Sequence, residues 1–228
     1  MMGEFDPKTP SRRRGHPTVV RRRRPYDTVK RTIDVCAGAL GIIVTAPVQA
    51  GVAVIVLVVH GRPVIFRQPR PGRGEEIFEI LKFRTMLHPD DKHVTDGQRL
   101  TPLGRFLRAS SLDELPSLWN VLRGDMSLVG PRPLRVEYLE RYTPEQSRRH
   151  ETLPGITGLA QVRGRNELDW DDKFRLDVEY VDRRCLRLDL HILLQTVQTV
   201  LGRQGINKGG FDTMPTFTRE KDPGDERT

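Results

Sequence analysis

The chain has few of the residues that build disulfide or zinc frameworks. It contains two cysteines in 228 residues, and Cys36 and Cys185 match no metal or redox spacing. This argues against a disulfide-rich scaffold and favours a reducing compartment. The six histidines are scattered. The one close pair, His88 and His93, flanks two aspartates in a polar stretch that is more typical of a solvated loop than of a metal cluster.

Signature motifs of several large enzyme classes are also missing. The sequence has no Walker A loop, no nucleophile elbow and no H-E-x-x-H helix, so it does not fit a P-loop nucleotidase, an α/β-hydrolase or a zincin. No internal repeats are found. A length of 228 residues is typical of one domain with appendages.

Basic charge is concentrated near the N-terminus. The formal net charge is +8, yet residues 12–31 alone hold nine Lys or Arg against one acid. Residues 1–25 are rich in Pro, Arg, Thr and Gly, and we expect them to form a disordered basic arm. Such an arm suits binding to nucleic acid or to an anionic membrane surface.

A long apolar run follows this arm. Residues 37–59 carry no charge over 23 positions, which is more than the roughly 18 that indicate a membrane segment. A buried helix of a soluble domain is one alternative, although so small a domain has few ways to surround it on all sides. A cleaved signal peptide is another, favoured by the arginines at positions 21–24 and opposed by the length of the run. The sequence therefore predicts membrane insertion.

Pro47 lies near the centre of the run, where it removes a backbone donor and bends or breaks a helix. Basic residues flank the run on both sides, and the positive-inside rule places both flanks in the cytoplasm. A re-entrant helix–break–helix over residues 26–60 satisfies both flanks, so we favour it over the alternative of a single span. Thr45 or Gln49 is expected to satisfy backbone groups freed at the bend.

The rest of the chain is predicted to be mainly α with a small β-hairpin, which is an α+β fold. The hairpin pairs a strand at residues 64–66 with one at residues 77–83, across a basic turn over residues 67–74. One helix is predicted to begin near residue 101. Three more are predicted over residues 134–142, 169–184 and 186–201. The last of them has an apolar face that suits either the core or the bilayer interface.

We place this domain at residues 61–204 and expect it to be cytoplasmic and to lie on the membrane face. Residues 205–228 are predicted to be a disordered tail.

The most reactive chemistry lies in residues 110–133. Asp113 and Glu114 stand side by side before a proline and a short apolar helix, and Arg132 stands between two prolines. One interpretation is structural, because Ser111 and Glu114 fit a capping box and acids suit a first helical turn. The other is catalytic, because a carboxylate pair can hold Mg²⁺ and an aspartate can attack phosphorus.

Arginines without an obvious helical partner support the catalytic interpretation. Guanidinium groups match phosphate oxygens, and six such residues stand in the globular part: Arg67, Arg70, Arg84, Arg132, Arg163 and Arg165. Each of them alone is more typical of a solvated face. Together with the carboxylates and the membrane segment, they favour phosphoryl transfer to or from a lipid.

Three runs are specific enough to indicate a family: KFRTM at residues 82–86, SLDELPSLWNVLRGDMSLVGPRP at residues 111–133 and LPGITGLAQVRGR at residues 153–165. In this order they resemble the bacterial sugar transferases, the monotopic polyprenyl-phosphate phosphoglycosyl transferases. The resemblance covers residues 30–202 and suggests the compact form. It implies transfer of a sugar-1-phosphate from a UDP-sugar to undecaprenyl phosphate, with release of UMP, at the start of exopolysaccharide, capsule or O-antigen assembly.

The resemblance also implies roles for individual residues. Asp113 would be the nucleophile that forms a covalent phosphosugar intermediate. Glu114 would position or deprotonate the lipid phosphate in the second half-reaction. Arg132 would bind phosphate, with Lys82 and Arg84 as weaker candidates.

Further implications concern the metal and the membrane bend. Mg²⁺ is expected at Asp113, and Glu137 follows the GPRP run at the family spacing in a less defined role. Pro47 matches the proline of the family's re-entrant bend. Ala46 stands where some members have a serine, so a side-chain bond that closes the bend there is in doubt.

The expected partners are a UDP-sugar, undecaprenyl phosphate and the lipid bilayer, at the cytoplasmic face of a bacterial inner membrane. A homodimer is an open alternative, and nucleic acid is not expected. The rival functions are a membrane-tethered nucleic-acid-binding protein and a non-catalytic membrane scaffold. Both leave the DELP and GPRP chemistry unexplained. The sugar and the polymer do not follow from the sequence.

Overall fold

A computed structural model describes residues 24–88, 95–164, 168–201 and 217. The predicted basic arm lies almost entirely outside these residues, and so do His93 and Arg165. Within the described residues the fold is mostly helical with two small sheets, as the α+β prediction requires. The helices are α1 (Pro25–His60), α2 (Asp96–Arg99), α3 (Pro102–Ala109), α4 (Leu118–Arg123), α5 (Pro144–Ser147), α6 (Leu159–Arg163), α7 (Trp170–Arg183) and α8 (Leu186–Leu201).

Short 3₁₀ helices connect several of these elements. They cover Arg73–Glu75, Leu112–Ser117, Val136–Arg141 and Arg148–Glu151. The strands are β1 (Ile65–Pro71), β2 (Ile77–Phe83), β3 (Ser127–Val129) and β4 (Gly155–Thr157). The helices predicted near residue 101 and over residues 169–184 and 186–201 are therefore confirmed, whereas the stretch at residues 134–142 forms a 3₁₀ helix.

The hairpin is longer than its sequence suggests. Strand β1 pairs antiparallel with β2 from Ile65 opposite Phe83 to Pro71 opposite Ile77. The prediction of a turn over residues 67–74 was therefore wrong for its first half, which continues the strand. Two prolines and two arginines in that half disfavour a strand locally, but pairing with the apolar β2 overrides this preference.

Helix α1 is 36 residues long, or about 54 Å at 1.5 Å per residue. It is the one helix of the described residues that is long and apolar enough to cross a membrane, and only 11% of its most apolar 18-residue window is buried. A core helix of a soluble domain would be mostly buried, so the alternative of a soluble buried helix loses its support.

Helical structure runs through Pro47 without interruption, and the predicted break is not confirmed. Thr45 donates to the carbonyl of Gly41 at 2.6 Å, and Gln49 donates to the Thr45 hydroxyl at 2.9 Å. The two predicted polar side chains thus pair with each other beside the proline. Neither bond goes to the carbonyl of Ile43, the group that loses its helical donor at Pro47.

One stripe of α1 packs on the rest of the protein. The buried residues recur at intervals of four in each half of the helix: Lys30, Asp34 and Gly38, and then Val52, Val56 and His60. The first group faces α4, β3 and α8, and the second faces the hairpin and α3. Both halves of α1 therefore contact the same domain.

Polar bonds hold both ends of α1 in place. At the start, the Lys30 ammonium lies 2.5 Å from the Asp189 carboxylate, and Asp34 accepts from the backbone of Leu128 at 3.0 Å. At the end, His60 lies 2.8 Å from the Thr101 hydroxyl. Because such groups are costly to bury unpaired, each bond favours this one docking position of the helix.

The second sheet joins two sequence runs that are distant along the chain. Strand β3 pairs with β4 in parallel, Ser127 opposite Gly155 and Val129 opposite Thr157. A Cβ atom at Gly155 would lie 2.1 Å from the backbone nitrogen of Gly130. Only glycine permits this close approach, which fixes the GPRP run against the LPGITG run.

An aromatic cluster lies next to the GPRP run, to which Arg149 connects it. It contains Tyr138, Tyr142, Phe174 and Phe217, with Trp170 packed against them. Phe217 lies within the segment predicted to be a disordered tail, yet this residue is 6% exposed and its ring lies 5.0 Å from that of Phe174. The other residues of the predicted tail lie outside the described residues.

Candidate active site

A large cleft of about 1530 Å³ opens between the hairpin, α3, the 3₁₀ helix Leu112–Ser117 and α7. Its lining includes eleven Lys or Arg side chains and three Asp or Glu side chains. A cleft with this excess of positive charge attracts anions. The two sequence-predicted carboxylates, Asp113 and Glu114, belong to its lining.

The carboxylate of Glu114 holds the site together. Its Oε1 accepts from the Lys82 ammonium at 2.5 Å and from the Arg132 guanidinium at 3.0 Å. Each of these residues comes from a different part of the chain: the end of β2, the DELP segment and the GPRP run. The structure therefore brings together three of the residues predicted from sequence.

Asp113 lies beside the Lys82–Glu114–Arg132 triplet but makes no hydrogen bond with these three residues. Its side chain is buried, with 7% of the residue exposed, and none of the described residues donates a hydrogen bond to its carboxylate. Burial raises the pKa of Asp113 to about 6, with Lys82 acting in the opposite direction and Glu114 adding to the rise. A buried carboxylate that keeps its lone pairs available has the character of a nucleophile.

The neighbouring Glu114 behaves in the opposite way. Burial alone would favour its protonated form, but the charges of Lys82 and Arg132 outweigh burial and hold its pKa far below the usual range. The two carboxylates interact, so they titrate as a pair. Near neutral pH both carboxylates are therefore ionised. As the pH falls, Asp113 is the first of the two to take up a proton.

The backbone before the pair is strained. Ser111 has φ 57° and ψ 15°, in the left-handed region, and its side chain makes no capping hydrogen bond. The capping box of Ser111 with Glu114 was therefore wrong, since the Glu114 carboxylate instead faces Lys82 and Arg132. Left-handed backbone at a non-glycine residue costs about 1–2 kcal/mol, and such strain tends to occur at functional sites.

Buried polar bonds attach this segment to the hairpin. Ser117 donates to the carbonyl of Leu81 at 2.7 Å. Asn120 accepts from the backbone of Leu81 at 3.0 Å and donates to the carbonyl of Glu79 at 2.8 Å. Strand β2 is thereby aligned with the 3₁₀ helix, and Lys82 at its end faces Glu114.

A second set of bonds fixes the GPRP run. The backbone of Gly130 donates to Thr157 at 2.8 Å, and the backbone of Gly155 donates to Pro131 at 3.0 Å. The Arg149 guanidinium donates to the carbonyl of Arg132 at 2.7 Å. The main chain of Arg132 is therefore held from two sides, while its side chain, 46% exposed, reaches into the cleft.

Arg149 is a residue that the sequence analysis missed. It is 2% exposed, and it donates to the buried Asp177 at 2.6 Å and 3.0 Å and to the Tyr142 hydroxyl at 3.2 Å. Its guanidinium also lies 5.7 Å from the Phe174 ring. The ion pair joins residues 28 positions apart on a 3₁₀ helix and on α7, so no local spacing could have indicated it.

Two predicted residues lie away from the carboxylate pair. Arg84 lines the cleft, but its guanidinium donates to the carbonyls of Gly61 and Arg62, both at 3.0 Å, which favours a role in anchoring the end of α1. Glu137 is exposed on the 3₁₀ helix Val136–Arg141 and does not line the cleft. Its charge acts instead on Arg70.

The residues present fit a single-carboxylate magnesium site. No cluster of three His, Cys, Asp or Glu suited to a metal occurs in the described part of the chain. Mg²⁺, however, is commonly held by one or two carboxylates together with substrate phosphates. Asp113 keeps both of its oxygens available for such a role, whereas Glu114 is engaged by Lys82 and Arg132.

Comparison with known proteins identifies the family. A family model described as bacterial sugar transferase matches residues 25–203. The chain belongs to the bacterial sugar transferase family. The matched region contains α1, the hairpin, the carboxylate pair and the GPRP run, so the cleft lies wholly within the part that defines the family.

Several curated members of the family are similar to the chain. The sugar transferase EpsL of Bacillus subtilis is 46% identical over 197 residues, which cover 85% of this chain and 98% of EpsL. The UDP-glucose:undecaprenyl-phosphate glucose-1-phosphate transferase of Caulobacter vibrioides is 43% identical over 188 residues, 77% of this chain and 70% of that protein. The Klebsiella pneumoniae transferase of the same name is 41% identical over 182 residues, 74% of this chain but 39% of that protein.

The raised pKa of Asp113 predicts the pH dependence of nucleotide release. If the ionised carboxylate reacts, UMP release in the absence of lipid acceptor should rise with pH, with a midpoint at about 6. An ordinary aspartate would have its midpoint near pH 4. The check is single-turnover UMP release from a UDP-sugar between pH 5 and 8, and a flat profile over that range contradicts the assignment.

A charge variant gives the control for this profile. The Arg108 charge lowers the pKa of Asp113, so Arg108→Gln should move the midpoint to higher pH. Arg105 also lines the cleft but is not among the charges that act most on Asp113. Arg105→Gln should therefore leave the midpoint unchanged.

Loss of Arg149 should destabilise the fold. Arg149→Met leaves Asp177 buried without its partner, which typically costs about 3–5 kcal/mol. Urea unfolding of the detergent-solubilised protein measures the loss. Arg175→Met removes an exposed arginine paired with Asp172 and is the matched control, expected to change nothing measurable. Equal stability of the Arg149 variant and the parent would rule out the positioning role of the buried pair.

Proposed function

We propose that the protein transfers a sugar-1-phosphate from a UDP-sugar to undecaprenyl phosphate and releases UMP. Two similar relatives bear the name of this reaction with glucose as the sugar. Other relatives are named for galactose or N-acetylgalactosamine. The observation that carries the proposal is the buried Asp113 carboxylate, which accepts no hydrogen bond from the described residues and lies next to Lys82, Glu114 and Arg132. A carboxylate without a donor beside two cations supports the roles of nucleophile and phosphate-binding groups.

The first half-reaction is a displacement at phosphorus. A carboxylate oxygen of Asp113 attacks the sugar-bearing phosphorus, the bond to the bridging oxygen breaks, and the electron pair leaves with UMP. Arg132 is positioned to neutralise charge on the phosphoryl oxygens. The product is a phosphosugar bound covalently to Asp113.

The second half-reaction restores the carboxylate. An oxygen of the lipid phosphate attacks the same phosphorus, the bond to Asp113 breaks, and the lipid carries away the sugar and both phosphates. Glu114 is held by Lys82 and Arg132, and its lowered pKa makes it a weak base. Both observations support a positioning role over proton removal. Lys82 and Arg132, which Glu114 fixes, are then the groups that meet the incoming phosphate.

Mg²⁺ is proposed to bind at Asp113 together with the substrate phosphates. When bound, the ion would neutralise negative charge on the diphosphate. The chain's own contribution is an Asp113 carboxylate that accepts no hydrogen bond from the described residues and a Glu114 held in its ion pairs. This proposal rests on the donor set alone.

Helix α1 is proposed to enter and leave the membrane by the cytoplasmic face of the inner membrane. Its first half contacts the catalytic domain through Lys30 and Asp34, and its second half contacts the same domain through Val56 and His60. A spanning helix would carry one of these ends to the opposite side. Its exposed apolar side chains, which cover the intervening surface, are then the lipid-facing part.

Removal of the Asp113 carboxylate tests the proposed reaction. Asp113→Asn keeps the size of the side chain but cannot attack phosphorus, so UMP release from every UDP-sugar should fall at least about 10³-fold. The assay measures UMP with undecaprenyl phosphate and a set of UDP-sugars, and it also identifies the sugar. Asp125→Asn is the control, because Asp125 lies outside the cleft lining. Parent-like turnover by the Asp113 variant would exclude it as the nucleophile.

Cysteine accessibility tests the membrane topology. The exposed Cys36 and Cys185 are first replaced by serine, and single cysteines are then placed by Val20→Cys or Arg62→Cys. A membrane-impermeant maleimide should label both positions in inside-out vesicles and neither in intact cells after outer-membrane permeabilisation. Labelling of the two positions from opposite sides would establish a spanning helix.

A further inference from the structure

Three arginines form part of the cleft wall beyond the carboxylate pair. Arg70 lies on strand β1 and Arg132 lies in the GPRP run. Arg135 directly precedes the 3₁₀ helix Val136–Arg141. All three line the cleft. Strand β1 packs against that 3₁₀ helix, so the fold holds these three segments side by side.

Much of the hydrogen-bonding capacity of these arginines is unused. Arg70 donates through one terminal nitrogen to Gln68 at 2.6 Å, while its Nε is buried without a partner among the described residues. Arg132 donates through a single nitrogen to Glu114. The side chain of Arg135 has no hydrogen bond or ion pair with any residue that the structure describes. The cluster therefore presents several donors to the cleft.

The three charges also repel one another. Burial, followed by the charges of Arg132 and Arg135, lowers the pKa of Arg70 to about 10. The nearest compensating charge is Glu137, which stands outside the cleft lining. Holding like charges together is unfavourable in the free protein, and an anion between them removes the repulsion. The arrangement is thus suited to a ligand with at least two negative charges.

The contrast with Arg67 shows that this is not a general feature of the hairpin. Arg67 lies on the same strand, but its side chain is 66% exposed and lies 3.6 Å from the Glu79 carboxylate. Arg70 instead has a side-chain amide that orients it and no carboxylate in hydrogen-bonding contact among the described residues. Both arginines line the cleft, but Arg67 is exposed and has a carboxylate beside it, whereas Arg70 has none in hydrogen-bonding contact among the described residues.

The proposed function supplies an anion of the required charge. When Asp113 displaces UMP, the bridging oxygen leaves with the α-phosphate, which gains a second negative charge. Arg132, in contact with Glu114, lies next to the reacting phosphorus. Arg70 and Arg135 make no hydrogen bond or ion pair with Asp113 or Glu114 among the described residues, so their donors remain available to the departing phosphate.

We propose that Arg70 and Arg135, together with Arg132, bind the phosphate of the nucleoside monophosphate that leaves. This inference rests on the proposed function and deepens it, because it assigns the leaving-group subsite to residues outside the DELP and GPRP runs. It also explains why the cleft extends along strand β1, well beyond the carboxylate pair.

Binding of UMP and of uridine to the full-length, detergent-solubilised protein tests the subsite without turnover. The two ligands differ only in the phosphate. The parent should bind UMP at least 10-fold more tightly than uridine by isothermal titration calorimetry. Arg70→Met and Arg135→Met should each remove most of this difference and leave uridine binding unchanged. Arg175→Met, at an exposed arginine outside the cleft lining, is the control and should behave as the parent does.

Several outcomes would overturn the inference. Retention of the UMP preference in both variants would show that neither arginine contacts the phosphate. A rise in the KM for undecaprenyl phosphate with unchanged UMP binding would assign the cluster to the lipid phosphate instead. If the parent binds UMP as predicted but turns over no UDP-sugar, the result would contradict the proposed function and still support the phosphate subsite. Urea unfolding of each variant confirms that it remains folded.

Discussion

The paired ion contacts of Glu114 are the interaction on which the site depends. One carboxylate accepts from Lys82 at 2.5 Å and from Arg132 at 3.0 Å, and so joins the hairpin, the DELP segment and the GPRP run. The same contacts explain why two adjacent carboxylates differ in chemistry. Glu114 is ionised because cations hold it, whereas Asp113, buried beside it without a donor among the described residues, keeps its lone pairs available.

This constraint relies on supports that lie farther from the chemistry. Arg149, paired with Asp177, donates to the main chain of Arg132 and packs against Tyr142 and Phe174 of the aromatic cluster. At the other side, Lys30 and Asp34 dock the start of α1 on the domain. A long apolar helix thus contacts the domain through both of its halves.

Much of this could be predicted from the sequence where the signal is local. The apolar length of α1, the hairpin, the helices near both ends of the domain and the adjacency of Asp113 and Glu114 all follow from patterns within short windows. Strand β1 through Arg67–Pro71 could not be predicted, because its residues disfavour a strand and only pairing with β2 supplies the stability. The Ser111 backbone, the Arg149–Asp177 pair and the burial of Phe217 likewise depend on contacts between distant parts of the chain.

The most direct test of the account is the chemical trapping of Asp113. Hydroxylamine converts an acyl phosphate into a hydroxamate, which peptide mass spectrometry can locate. The parent protein, incubated with its UDP-sugar and no lipid acceptor, should release about one UMP per active site and carry the modification at Asp113 and not at Glu114. UMP release that requires undecaprenyl phosphate, with no hydroxamate at Asp113, would contradict the covalent mechanism and the role assigned to the buried carboxylate.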